Sequence, residues 1–162
     1  KGGIPVVFWP FEVLRGQSYS MQELRLTVAG SAATELRFWI AFDVPEATIV
    51  RAPISGEMVI VHTQTGNVID IRGRDGRTVS FHFASLAGIL VTLSQGPSAE
   101  SNWITVGTPV FQVLNEAKPY TKASPRESLL TVPWLFTMCV GDGDARCVPF
   151  RWLETESGRV AY

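Results

Sequence analysis

An all-β domain built of antiparallel sheet, with long loops and little helix, is the fold that this 162-residue sequence predicts, and three observations predict it. Short runs rich in Val, Ile, Phe and Thr recur between Gly, Pro, Asn and Asp punctuation. An Asp-Gly pair, Asp75-Gly76, separates two of these runs. No stretch of a dozen residues carries a convincing helical period of apolar side chains.

Taken in order along the chain, the runs at 56–62, 67–71, 78–83 and 109–113 read as strands. Asp75-Gly76 closes the second and third of them into a hairpin, because both positions tolerate positive φ. Residues 94–102 and 116–131 are polar and interrupt the strand pattern, which is the mark of long surface loops. The best helical candidate, residues 124–130, is short enough to be a turn or a brief helix. Cys139 and Cys147 flank the turn-rich stretch Val140-Gly141-Asp142-Gly143-Asp144-Ala145-Arg146, which reads as a hairpin tip. A disulfide in an oxidising compartment and two reduced, half-buried thiols both fit that spacing.

Composition narrows the class. With 46% hydrophobic residues, one domain spanning 1–162 can bury a substantial core without a metal or a disulfide framework. The 14 basic and 15 acidic residues are scattered and leave a net charge of −1, so no electrostatic footprint for nucleic acid is present. No apolar run approaches the roughly 20 residues needed to cross a bilayer as a helix. Two cysteines without neighbouring histidines do not form a zinc site.

Several further segments, taken in chain order, match the motifs of one known family. Val50-Arg51-Ala52-Pro53-Ile54-Ser55-Gly56-Glu57-Met58-Val59 is similar to that family's "V-x-A-P-x-S-G-x-V", and Pro45-Glu46-Ala47-Thr48-Ile49 before it to "P-x-G-T-P". Gly66-Asn67-Val68-Ile69-Asp70-Ile71 with Asp75-Gly76 looks like its "G-N-x-V-x-I … D-G" hairpin. The stretch from Phe81 through Phe83 and Leu86 to Val91 stands in the place of "Y-x-H-L-x-x-I-x-V", and Val106-Gly107-Thr108-Pro109-Val110 in that of "V-x-x-G-x-x-V". Pro133-Trp134-Leu135-Phe136-Thr137-Met138, followed by Val148-Pro149 and Trp152-Leu153, parallels "P-H-L-H-F-E … D-P-x-x-L". Trp9-Pro10 gives a weaker match to an N-terminal "W-P". Together these segments resemble the lysostaphin/LytM-type zinc endopeptidases, and the resemblance implies a LytM-type (duplicated-hybrid-motif-like) sandwich over residues 37–153, with 1–36 an N-terminal extension packing on it. The biotinyl/lipoyl carrier sandwich shares the "A-P-x-x-G" turn, but it presents a lysine on a hairpin tip and none is suitably placed here.

The same resemblance implies a zinc site and places its remains. The family's first His falls on Arg37, its Asp on Ala41 and its last His on Phe136, none of which supplies an ordinary ligand lone pair. The two histidines that polarise or move protons fall on Phe83 and Trp134. A two-residue shift of the first segment would instead place Trp39 and Asp43 there, keeping one carboxylate. Metal and catalytic residues are therefore expected to be absent, with Phe81, Phe83, Trp134 and Phe136 filling the former pocket. Ordinary core aromatics of an unrelated β-domain are the plainer alternative. Of the two histidines, His82 alternates away from Phe81 and Phe83 and reads as a surface residue, while His62 ends a strand near the groove rim.

A pseudoenzyme without cofactor is the functional expectation. It would be a protein-binding or regulatory module of a cell-envelope, peptidoglycan system, partnered by another protein such as an envelope hydrolase, and extracytoplasmic in location. The alternatives are a structural component of a phage tail or similar virion particle, with Trp9, Phe11, Trp103 and Tyr120 as interface anchors; a residual zinc peptidoglycan endopeptidase; and a non-cleaving peptidoglycan or carbohydrate binder.

Overall fold

A computed structural model describes residues 3–12, 18–29, 34–63, 66–83, 89–91, 102–114, 136–155 and 158–159. They form β1 (Val6–Val7), β2 (Ser20–Ala29), β3 (Thr34–Asp43), β4 (Ile49–Arg51), β5 (Gly56–Thr63), β6 (Gly66–Arg72) and β7 (Thr78–Phe83). β8 (Ile89–Val91), β9 (Trp103–Ile104), β10 (Pro109–Val113), β11 (Phe136–Gly141), β12 (Arg151–Trp152), β13 (Glu154–Thr155) and β14 (Gly158–Arg159) follow. Among the described residues there is no helix. The four runs read as strands are β5, β6, β7 and β10. The loop at 116–131, most of that at 94–102, and the helical candidate at 124–130 lie outside the described residues.

The Asp75-Gly76 turn sets the register of the central hairpin. Gly76 holds φ at +92°, a value that side-chain-bearing residues rarely adopt, and the Gly73 N–H donates to Arg77 O at 2.8 Å. The Asp75 carboxylate accepts from the Arg77 N–H at 3.0 Å, and Arg72 then stands opposite Thr78. From this hairpin a seven-stranded sheet extends in the order β2-β3-β11-β7-β6-β5-β9, antiparallel throughout. A smaller antiparallel sheet, β4-β10-β8, packs on it. Phe111 of β10 reaches Phe83 at 4.9 Å, Phe136 at 5.2 Å and Phe81 at 5.5 Å between ring centroids, so the core lies between the two sheets.

The N-terminal segment is built into that core. Val7, Trp9 and Phe11 are buried, and Trp9 touches Phe42 and Trp152 at 5.8 and 4.7 Å. β1 pairs in parallel with β12, and β2 forms a ten-residue hairpin arm with β3 at the edge of the large sheet. The expectation that Trp9 and Phe11 are exposed anchors is thus corrected: their apolar area is used inside. Trp103 is exposed, beneath the Arg74 guanidinium at 4.4 Å, and Tyr120 lies outside the described residues.

Candidate functional site

Because side chains alternate across a strand, the register of β3, β11 and β7 decides which of the expected site residues meet. Phe136 pairs with Phe42, and Met138 with both Ile40 and Phe81, all facing the core. Phe136 is fully buried, 5.9 Å from both Phe81 and Phe83 and 5.2 Å from Phe42. Phe81, Phe83 and Phe136 therefore meet in the core; Trp134 lies outside the described residues.

Arg37 and Ala41 do not join them. Ala41 stands opposite Thr137, and Thr137 stands opposite His82, so one row crosses three neighbouring strands on the other face of the sheet. Arg37 and Trp39 share that face with Ala41 by alternation. The positions taken from the resemblance are thus split between the two sides, since a slip of one residue in β11 or β7 turns every side chain over. Asp43, the carboxylate of the shifted placement, is exposed at the end of β3.

The row is covered, and this corrects the reading of His82 as a surface residue. His82 does point away from Phe81 and Phe83, but it is only partly accessible, its ring meeting that of Trp39 at 4.6 Å and 75°. Trp39 Nε1, His82 Nε2 and Thr137 Oγ1 are all buried with no hydrogen-bond partner. Burial holds the His82 imidazole down to about 4; the Asp70 carboxylate pulls it upward and the Arg146 guanidinium pushes it further down. The His62 side chain lies outside the described residues, although in β5 its backbone stands opposite Asn67 of β6.

Near the row lies the loop between β11 and β12. Cys139 and Cys147 are joined by a disulfide across a Cα–Cα distance of 4.7 Å. The Asp142 carboxylate accepts from the N–H groups of Asp144 and Ala145 at 2.9 and 2.8 Å, closing the turn. The return leg is not a ladder strand: Val148 N–H donates to Val140 O at 2.9 Å and Phe38 N–H donates to Cys147 O. From this loop Arg146 donates to Asp70 Oδ2 at 2.8 Å, while Arg72 donates to the same oxygen at 3.2 Å and Ser80 Oγ donates to Oδ1 at 2.6 Å. Burial raises the Asp70 carboxyl, but the Ser80 hydroxyl and the two guanidiniums outweigh it and leave it below the usual carboxylate range. Sequence reading missed this network; a lone Asp inside the apolar Asn67-Val68-Ile69-Asp70-Ile71 run was the available signal, since buried carboxylates need partners.

A zinc ion does not fit the residues present. Arg37 offers a cation, Ala41 no donor atom, and the β11 position either the Phe136 ring or the Thr137 hydroxyl, whichever face is considered. Among the described residues no three His, Cys, Asp or Glu side chains are grouped closely enough to share a metal ion. No described helix is long and apolar enough to cross a membrane. No protein-family model, curated protein or solved structure matches the chain.

Proposed function

We propose that the chain is a non-catalytic relative of the lysostaphin/LytM-type endopeptidases that serves as a protein-binding or regulatory module in a cell-envelope system. The observation that carries this reading is the Ala41–Thr137–His82 row with Trp39 beside it. Here a sheet face holds hydrogen-bonding groups without protein partners, in the strands that resemble the family's site, and lacks a ligand set. Ala47 adds support: it holds a left-handed φ of 69° at the place where the similar motif "P-x-G-T-P" has Gly. The Trp39 and His82 side chains stay partly accessible at this face, which leaves a contact surface for a partner, while the unpaired buried polar groups cost the free chain roughly 1–3 kcal/mol each. A disulfide beside the row suits an extracytoplasmic compartment.

The test has two arms. The purified chain, incubated with zinc, is expected neither to bind it stoichiometrically by calorimetry nor to release fragments from dye-labelled peptidoglycan sacculi. Mixed with envelope hydrolases one by one, it is expected to bind one and change its rate of sacculus cleavage, with Trp39→Ala weakening both effects. Stoichiometric zinc or intrinsic cleavage rejects the proposal; so does a full hydrolase panel without binding.

A second reading, a structural component of a phage tail or similar particle, is favoured by one feature, the ten-residue edge strand β2, which is open to further pairing among the described residues.

A further inference from the structure

Strand β2 ends the seven-stranded sheet, and among the described residues it pairs on one side only, with β3. Its other side presents a row of backbone N–H and C=O groups, which natural sheets usually blunt with proline, a bulge or clustered like charge. β2 contains no proline, and its register with β3 runs without a shift from Ser20 opposite Asp43 to Ala29 opposite Thr34. Its charged side chains are of opposite sign and two residues apart on one face: Glu23 and Arg25, 3.6 Å from each other and more than half exposed at 54% and 61%.

We infer that β2 is the interface of a homodimer, two copies pairing antiparallel about a two-fold axis through Leu24 and continuing the sheet from one chain into the other. The charges select that axis. Centred on Leu24, the pairing sets Glu23 opposite the partner's Arg25 and Arg25 opposite the partner's Glu23, so that the two intrachain pairs join into one alternating set of four. Moved by one residue, it sets glutamate against glutamate or arginine against arginine, which is unfavourable for residues directly across a ladder. On the core side of β2 an open groove of about 490 Å³ runs between Met21, Glu23, Phe38, Phe150, Arg151 and Trp152, a surface of mixed polar and apolar character beside the strand that a second copy would extend. The inference is independent of the envelope reading.

Sedimentation velocity on the full chain across a dilution series tests it. Wild type is expected to show a concentration-dependent dimer; Arg25→Glu raises the dissociation constant by about tenfold or more, and Glu23→Arg combined with Arg25→Glu restores it. Under mild oxidation Leu24→Cys is expected to cross-link to itself, whereas Gln22→Cys is not, because its neighbour across the axis is Leu26. A wild-type chain that stays monomeric at every concentration overturns the inference. A dimer indifferent to Arg25→Glu, or one that Leu24→Cys cannot lock, overturns it as well.

Discussion

The Trp39 indole and the His82 imidazole meet edge-on at 4.6 Å, although their strands are not neighbours: β11 runs between them, and the two rings close above it. The contact keeps His82 among side chains that solvate an imidazolium poorly. Unfolded, its ordinary pKa is 6.5; folded, it is about 4. Between those values the unfolded chain binds more protons, so the stability is complete above the upper one and is lost as pH falls through the window, by about 3 kcal/mol in total. Urea midpoints measured across the window should fall for wild type and change little for His82→Phe. Asp70 acts lower, because its depressed carboxyl sheds stability only as pH drops through its folded value, below 3.8. A wild-type profile as flat as that of the variant would refute the burial of His82.

Phe136 touches Phe42, Phe81, Phe83 and Phe111 and is fully buried. Phe136→Ala should cost about 3–5 kcal/mol, as truncation leaves a cavity where two sheets meet. Thermal denaturation followed by near-UV circular dichroism measures this; a loss comparable to that of an exposed-site substitution such as Leu90→Ala would place Phe136 outside the core.

The Cys139–Cys147 disulfide closes a short loop, with a sequence separation of 8. Restricting a loop of that size in the unfolded chain is worth about 2–3 kcal/mol, so Cys147→Ser should lower stability by that much. Limited proteolysis should cut the variant first in residues 142–150, even though Arg146 still holds Asp70. Equal stability of wild type with and without reductant would contradict the prediction.

A Cβ at Gly56 would lie 2.6 Å from Arg72 O and 2.7 Å from its carbonyl carbon, both backbone atoms of the paired strand, whereas a Cβ at Gly3 meets nothing within 4 Å. Gly56→Ala should destabilise by about 2–4 kcal/mol through forced separation of β5 from β6, and Gly3→Ala should be neutral within about 0.5 kcal/mol. Paired urea titrations decide; equal effects would mean that β5 does not approach β6 this closely.

Legibility followed periodicity. β5, β6, β7 and β10 were readable because alternation and turn residues agree there, and Asp75-Gly76 fixed one register outright. β2 and β3 were not singled out. β2 places Glu23 and Arg25 on the face that continues the core, and β3 carries the continuous run Phe38-Trp39-Ile40-Ala41-Phe42, which lacks alternation because both of its faces are covered. The grouping of Phe81, Phe83 and Phe136 came from the family resemblance, and alternation alone shows only that Phe81 and Phe83 share a face. The row of Ala41, Thr137 and His82 was not, because it depends on how β11 sits between β3 and β7, and motif spacing carries no cross-strand register.

The parallel pairing of Val6 and Val7 with Arg151 and Trp152 also dictates the order of events at the ribosome. Arg51 N–H donates to Pro10 O at 2.6 Å and Phe8 N–H to Pro53 O at 3.1 Å, so the strap that holds β1 can start to form once the middle of this sequence has been made. Its last fastenings, Arg151 N–H to Pro5 O and Leu153 N–H to Val7 O, must wait until residues 151–153 have been made. Throughout that interval the Trp9 ring lacks Trp152 as its lid, and the nascent chain shows a sticky aromatic notch that chaperones or other chains can reach before it seals.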